Sequence, residues 1–221
     1  MQKETLIRIA RLLILHVSIV NNPGILKGKM GFILFFFHLN RKFDHPLYGK
    51  FAEELLDEVY EDIQNTNNRQ IVYRECAEIA WGLLYLIRHR FVEGEEKDII
   101  AMFDTLVLNS LAYPDPNIHA IIHYLISRKT ANTPIGIPSR FIESLFTAMK
   151  YKPGEKHYEL QLLDKLQKQK PVDNYTDSFL QRALDAVHYT SDEIFSDRPI
   201  GIEANGLTGI GLKMILNGKT V

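Results

Sequence analysis

The sequence predicts an all-α protein built from a repeated two-helix unit. No useful length of the chain alternates apolar and polar residues or carries the turn signals typical of strands and hairpins. A Gly-x-x-Gly start followed by an apolar run occurs near each end of the chain, first at Gly28 and Gly31 and again at Gly206 and Gly209. Self-similar segments of this kind indicate a repeat.

Composition places the chain among ordinary globular proteins. It has 221 residues, of which 46% are hydrophobic and 24% are charged, and its formal net charge is -1. A chain of this length can bury one sizeable core, so we expect a single domain over residues 1–221. The lack of a basic excess argues against a nucleic-acid partner. The single cysteine, Cys76, excludes an intramolecular disulfide and favours a reducing compartment, so we expect a cytoplasmic protein.

The apolar run at residues 12–20 is too short to span a bilayer. Leu6, Ile9, Leu13 and Val17 recur at helical spacing, and no small-x-small cleavage site follows the run. We therefore expect an amphipathic helix that ends before Asn21, and neither an export signal nor a membrane span.

Nine further helices follow, and the ten alternate in kind. Odd-numbered helices carry an apolar stripe and a charged face, whereas most even-numbered ones are apolar nearly all round, which is typical of an inner helix. Breaks are expected at 65–68 and 153–154, with Ser139 capping the seventh helix and Asp177 or Ser178 opening the ninth. The predicted helices after the first cover residues 29–41, 51–63, 71–90, 97–111, 118–128, 140–150, 158–170, 179–187 and 205–216.

The even-numbered helices supply the period of the repeat. Aligning them on Gly31, Glu78, Asn117 and Gly209 gives separations of 47, 39 and 92 residues, and the last is close to two periods. The sequence therefore predicts a two-helix repeat of roughly 45 residues.

Four blocks of sequence carry a resemblance to a known family. They are GILKGKMGFILFFFH at 24–38, FAEELLDEVY at 51–60, WGLLYLI at 81–87 followed by FVEG at 91–94, and GLTGIG at 206–211. In these blocks the chain resembles the lanthionine synthetase C-like (LanC-like) family, whose domain is an α/α toroid of seven helical hairpins. The resemblance implies an α/α toroid-like array of about five hairpins, incomplete relative to that toroid.

Cyclases of that family hold a catalytic zinc with two cysteines and a histidine, in Trp-Cys-x-Gly and Cys-His-Gly motifs. Neither motif occurs here, since Cys76 is the only thiol and Trp81 has no adjacent cysteine. We therefore expect a non-catalytic, peptide-binding or accessory component of a peptide-modification (lantibiotic biosynthesis) or export system, with no cofactor. The expected binding residues are Gly28, Gly31, Trp81, Gly206 and Gly209, although tight helix packing also explains the glycines.

Two enzymatic alternatives remain open. Glu75 and Glu78 lie one helical turn apart and could form the carboxylate pair of a hydrolase, with Trp81 stacking a sugar. The competing interpretation is that they are acidic residues stabilised near a helix N-terminus.

A zinc site is the other alternative. His119 and His123 have the i, i+4 spacing of metal ligands, and Cys76 could join them to complete a Cys-His-His set. The competing interpretation is a pair of hydrogen-bonded histidines in an apolar helix.

Overall fold

The structure is a computed structural model that describes residues 2–64, 69–130, 135–151, 157–172, 178–190, 194–195 and 198–217. Within these residues the chain forms ten α-helices and three 3₁₀ turns, and it forms no strand. The all-α prediction is therefore confirmed for this part of the chain. The breaks predicted at 65–68 and 153–154, and the helix start offered by Asp177, lie outside the described residues.

Each predicted helix has a counterpart whose ends differ by a few residues. The third helix begins earlier than predicted, at Pro46, where a proline fits because the first helical amide needs no partner. The helices are α1 (Gln2–His16), α2 (Lys29–Phe43), α3 (Pro46–Gln64), α4 (Arg69–Arg88), α5 (Glu96–Asn109), α6 (Ile118–Lys129), α7 (Ser139–Tyr151), α8 (His157–Gln167), α9 (Ser178–Asp185) and α10 (Leu207–Leu216).

Burial separates the two kinds of helix much as predicted. Every residue from 30 to 39 of α2 and from 120 to 128 of α6 is buried, whereas α3 buries only Gly49, Ala52, Leu55, Leu56 and Val59. Helix α8 departs from the pattern, because its buried residues lie on one side. No helix in the described residues is both long enough and apolar enough to cross a membrane.

The chain divides into two compact units. Unit 1 comprises Met1–Val72 and Leu180–Val221, and unit 2 comprises Tyr73–Phe179. The single domain expected over residues 1–221 stays a prediction. In unit 1, α2 and α3 form a hairpin that turns at Asp44, a residue in the left-handed conformation (φ 49°), and α10 packs on α2 and α1.

A half-buried lysine ties the α2–α3 hairpin together. Lys29 Nζ lies 2.9 Å from a carboxylate oxygen of Glu58 and 3.2 Å from one of Asp62, and its side chain is only 12% exposed. Burial alone lowers the pKa of this ammonium, but hydrogen bonds to the two carboxylates outweigh burial and raise the pKa. The start of α2 is thereby fixed to the last turns of α3.

In unit 2, α6 packs on α7 and α8. Arg128 of α6 is 4% exposed and donates two hydrogen bonds, both 2.9 Å long, to the carboxylate of Asp104 on α5. The Tyr124 hydroxyl donates to the same carboxylate over 2.6 Å. Because a bidentate guanidinium bond is directional, this network fixes the register of α6 against α5.

Candidate functional site

The glycines that open α2 lie against the backbone of the preceding segment. The amide of Lys29 donates to the carbonyl of Asn22 over 2.9 Å. A Cβ at Gly28 would overlap that same carbonyl, and a Cβ at Gly31 would overlap the carbonyl of Ile25. Close approach of the chain to itself therefore explains glycine at both positions.

The start of α10 is built in the same way. The amides of Leu207 and Gly209 donate to the carbonyls of Pro199 and Gly201, over 2.9 and 3.3 Å. A Cβ at Gly206 would overlap the Gly201 carbonyl. Both helices that carry a Gly-x-x-Gly start thus have amides of their first turn satisfied by a segment folded back over them.

The two folded-back segments also contact each other. The amides of Ile202 and Glu203 both donate to the carbonyl of Leu26, over 2.8 and 3.2 Å, and Lys27 Nζ lies 3.2 Å from a carboxylate oxygen of Glu203. The four glycines predicted to bind a ligand therefore face the chain's own backbone in this structure. Ligand binding at these glycines stays a prediction.

The carboxylates of Glu75 and Glu78 are buried on α4, with exposures of 8% and 2%. Because α4 begins at Arg69, the two residues lie in its second and third turns. The interpretation that they are stabilised by the N-terminal dipole of their own helix is wrong, since that effect falls off within the first turn. Arg74 Nε instead donates to Glu75 over 2.8 Å.

Glu78 is joined to the start of α6. Asn117 Nδ2 donates to Glu78 Oε1 over 2.5 Å, and Asn117 Oδ1 accepts from the amide of Ala120 over 3.1 Å, which caps α6. Glu78 and Asn117 are the positions that the repeat alignment treats as equivalent. Glu78 therefore orients the cap of the next inner helix, a structural role independent of any hydrolytic one.

Trp81 lies in an aromatic cluster of unit 2 and is 2% exposed. Its ring centroid is 5.4 Å from that of Tyr85 and 5.3 Å from that of Phe179. The indole therefore offers no open face on which a sugar or a peptide could stack in this structure.

Cys76 is fully buried, and its thiol donates to the carbonyl of Tyr73 over 3.2 Å. Burial raises the pKa of the Cys76 thiol to about 12, so it stays protonated at neutral pH. Among the described residues, no group of three or more His, Cys, Asp or Glu side chains is arranged to hold a metal ion. The zinc set of Cys76, His119 and His123 is thus not assembled in this structure.

The two histidines of α6 instead face a glutamate of α8 and a serine of α9, a group that we call the histidine cluster. Glu159 Oε1 lies 3.4 Å from His119 Nδ1 and 3.8 Å from His123 Nε2. Ser178 Oγ lies 3.2 Å from the other ring nitrogen, His123 Nδ1. The side chains of His123 and Glu159 are 2% and 5% exposed, whereas that of His119 is 39% exposed.

Electrostatics keep the Glu159 carboxylate ionised. Burial by itself raises the pKa of this carboxyl, but the adjacent imidazoles of His119 and His123 hold the pKa well below its usual range. The cluster therefore presents a buried anion, an imidazole and a hydroxyl in contact. These groups can donate and accept protons, as general acid–base catalysis requires.

Sequence reasoning missed Glu159 and gave Ser178 only the role of a helix start. Glu159 follows Tyr158 in the first turn of α8, and nothing within that helix distinguishes it from a solvated glutamate. The spacing of His119 and His123 was the available signal, because it predicts that the two imidazoles share one face of α6.

A separate open cleft of about 700 Å³ lies in unit 2, where the segment before α6 meets α7. Apolar side chains and charges of both signs share its walls. The lining residues are Leu111, Asp115, Pro116, Ile118, Arg140, Glu143, Ser144, Thr147 and Ala148.

Comparison of the chain with protein families, with curated proteins and with solved structures found no match.

Proposed function

We propose that this protein is a LanC-like, peptide-binding accessory component of a peptide-modification or export system, without the zinc-dependent cyclisation chemistry of that family. The single observation that carries the proposal is the cleft between the segment before α6 and α7. Its volume of about 700 Å³ lies within the range of about 300–1,000 Å³ that ligand sites occupy.

The lining of the cleft suits an extended peptide with charges of both signs. Leu111 and Pro116 supply apolar contact area on one side, above the buried Ile118. Arg140 and Glu143 lie one turn apart on the exposed face of α7, so each can pair with an opposite charge on the ligand. An extended peptide combines apolar and charged groups at this spacing.

The helical repeat supports the family part of the proposal. The even-numbered helices begin at Lys29, Arg69, Ile118, His157 and Leu207, which is one start every 39 to 50 residues. Within unit 1, the last inner helix α10 packs directly on the first, α2, as the two ends of a toroid-like array would. Five hairpins in such an array remain the proposed architecture, and the lone buried thiol suits the proposed cytoplasmic location.

Filling the cleft tests the proposal. A library of short random peptides displayed on phage is selected on the wild-type protein, and the enriched peptide is labelled with fluorescein for anisotropy titration. Ala148 is half-buried in the cleft, so Ala148→Arg should occupy part of it and weaken binding by about tenfold or more.

Ala101→Arg provides the matched control, because Ala101 is an exposed alanine on α5 outside the cleft. It should leave the dissociation constant unchanged. If no peptide is enriched, or if both arginine variants bind the peptide as the wild type does, the cleft is not a peptide site.

A further inference from the structure

The side chains of Ser178, His123 and Glu159 lie next to one another, with the imidazole between the hydroxyl and the carboxylate. The hydroxyl oxygen is 3.2 Å from Nδ1 of the ring, and the nearer carboxylate oxygen is 3.8 Å from Nε2. Nucleophile, base and orienting acid stand in this relation in serine acyl-transfer enzymes on unrelated folds. The distances are those of the unliganded protein, in which catalytic contacts are often longer than in the complex.

The position of Glu159 determines which imidazole nitrogen can act as a base. A carboxylate next to Nε2 favours the tautomer that carries its proton there. Nδ1 then keeps its lone pair and faces the Ser178 hydroxyl, which can donate to it. The charge of the buried Glu159 also stabilises the imidazolium that forms when Nδ1 accepts a proton.

We propose that Ser178, His123 and Glu159 form a serine acyl-transfer site that hydrolyses esters of small apolar acyl groups. Ser178 is the nucleophile, His123 is the general base and acid, and Glu159 is a positioning residue. This activity is independent of the peptide cleft and differs from metal-dependent cyclisation.

The reaction needs only the ester and water. Ser178 Oγ bonds to the acyl carbon while His123 Nδ1 takes the hydroxyl proton, and the carbonyl electron pair moves to its oxygen. Collapse of this intermediate breaks the bond to the alcohol oxygen, which takes the proton from Nδ1 and leaves. Water then adds to the acyl-serine through the same base, and collapse releases the acid and returns the proton to Oγ.

The location of Ser178 suits this role. It is half-buried and is the first residue of the eight-residue helix α9, where the positive end of the helix dipole favours the negative charge that develops on the carbonyl oxygen. The rings of Phe179 and Tyr158 have centroids 5.3 and 6.0 Å from that of His123. Because these aromatic rings surround the imidazole, we expect the site to accept a small apolar acyl group.

A fluorophosphonate probe and 4-nitrophenyl butyrate test the proposal on the full chain. The probe should label the native protein at Ser178, as mapped by mass spectrometry, and labelling should disappear after heat denaturation. Ser178→Ala should abolish labelling and ester hydrolysis, and His123→Asn should lower both rates by about 10²- to 10⁴-fold.

Two further variants separate catalysis from folding. Glu159→Gln should shift the rising limb of the kcat/KM profile to lower pH, because the imidazolium loses its buried counter-charge. Ser18→Ala removes an exposed serine of the 3₁₀ turn after α1, outside both the histidine cluster and the peptide cleft, and should change nothing. Labelling of native protein at any other residue, equal turnover in Ser178→Ala, or no labelling of the folded wild type would each overturn the proposal, and none of these results depends on peptide binding.

Discussion

Two buried ionisable side chains of unit 2 show how burial and a nearby partner group have opposing effects on a pKa. Among the described residues, the hydrogen-bond partners of the Cys76 thiol are neutral groups, so burial prevails and raises the pKa of the thiol to about 12. The Glu159 carboxyl is almost as buried, yet its pKa is lowered because two imidazoles meet one of its oxygens. Glu159, which faces two imidazoles, is therefore ionised at neutral pH, whereas the Cys76 thiol stays protonated and unreactive.

The lowered pKa of Glu159 predicts an acid-sensitive contribution to stability. A carboxyl whose folded pKa lies below its unfolded value of about 4.3 stabilises the fold above that value, and the stabilisation is lost as the pH falls towards the folded pKa. Glu159→Gln should therefore cost about 1.5–3 kcal/mol near pH 6. This difference should shrink steadily below about pH 4, as measured by urea unfolding.

The control for this measurement is Glu61→Gln on α3, where the carboxylate is exposed. Its unfolding free energy should follow the wild type within about 0.5 kcal/mol at every pH. A cost of Glu159→Gln that stays constant down to pH 3 would contradict the assignment.

Ala204 is held in a conformation that suits glycine. Its φ and ψ of 53° and 38° lie in the left-handed region, in the turn before α10. Left-handed geometry costs a non-glycine residue about 1–2 kcal/mol. Glycine avoids this cost, but it has more conformational freedom in the unfolded chain than alanine, which offsets about 0.5–1 kcal/mol of the gain. Ala204→Gly should therefore raise the unfolding free energy by roughly 0.5 kcal/mol.

The same substitution in a helix should have the opposite sign. Ala101→Gly lies in the interior of α5 and should lower the unfolding free energy by about 0.5–1 kcal/mol. If both variants are destabilised equally in thermal melts, the turn at Ala204 is not strained.

Among the helices, those that begin with Gly-x-x-Gly depend on contacts that periodicity alone does not specify. The repeat predicts an inner helix at Gly31 and another at Gly209, and both are found. It does not predict that residues preceding each helix turn back to supply carbonyls to its first amides. The glycines predict a close approach of some group, and sequence spacing leaves open whether that group is a ligand or the chain itself.

Gly31→Val tests the close approach at α2. A valine Cβ would overlap the Ile25 carbonyl, and its branched side chain would have to displace backbone. We expect a loss of about 1–3 kcal/mol in unfolding free energy through overpacking and restricted rotamers.

Gly136→Val is the matched control, since no atom of the described residues other than Gly136 and its chain neighbours lies within 4 Å of a Cβ built there. Its effect should stay within about 0.5 kcal/mol. An unchanged melting temperature for Gly31→Val would show that the segment before α2 can move aside, as a ligand-receiving helix start requires.

For the chain as a whole, local patterns predict the helices far better than the contacts between them. Helix positions follow from stripes within 10 to 20 residues, and α6 ends one residue from its predicted end. The histidine cluster joins His123 to Glu159, 36 residues away, and to Ser178, 55 residues away. Such contacts depend on how α6, α8 and α9 pack, which the period of each helix does not encode.

The metal content of the whole molecule tests the proposed accessory function against the alternative of a zinc enzyme. A catalytic zinc needs about three protein ligands, with thiolates ionised at the metal. Cys76 is a buried thiol with a pKa of about 12, and His119 and His123 turn towards Glu159. We expect the protein, purified without chelators, to contain far less than one zinc per chain by elemental analysis and to leave the thiol of a dehydrated, cysteine-containing peptide unreacted.

The matched variant for the zinc measurement is His123→Ala. If the wild type carries about one zinc per chain and His123→Ala loses it, the histidines are ligands, and Glu159 must then swing from its observed contacts to complete their set. Zinc that survives both His123→Ala and Cys76→Ser would come from residues outside the set of Cys76, His119 and His123. The cleft between the segment before α6 and α7 contains neither Cys76 nor His123, so we expect peptide binding to be independent of zinc. A metal-free chain that still binds its selected peptide would show that peptide recognition does not require the metal.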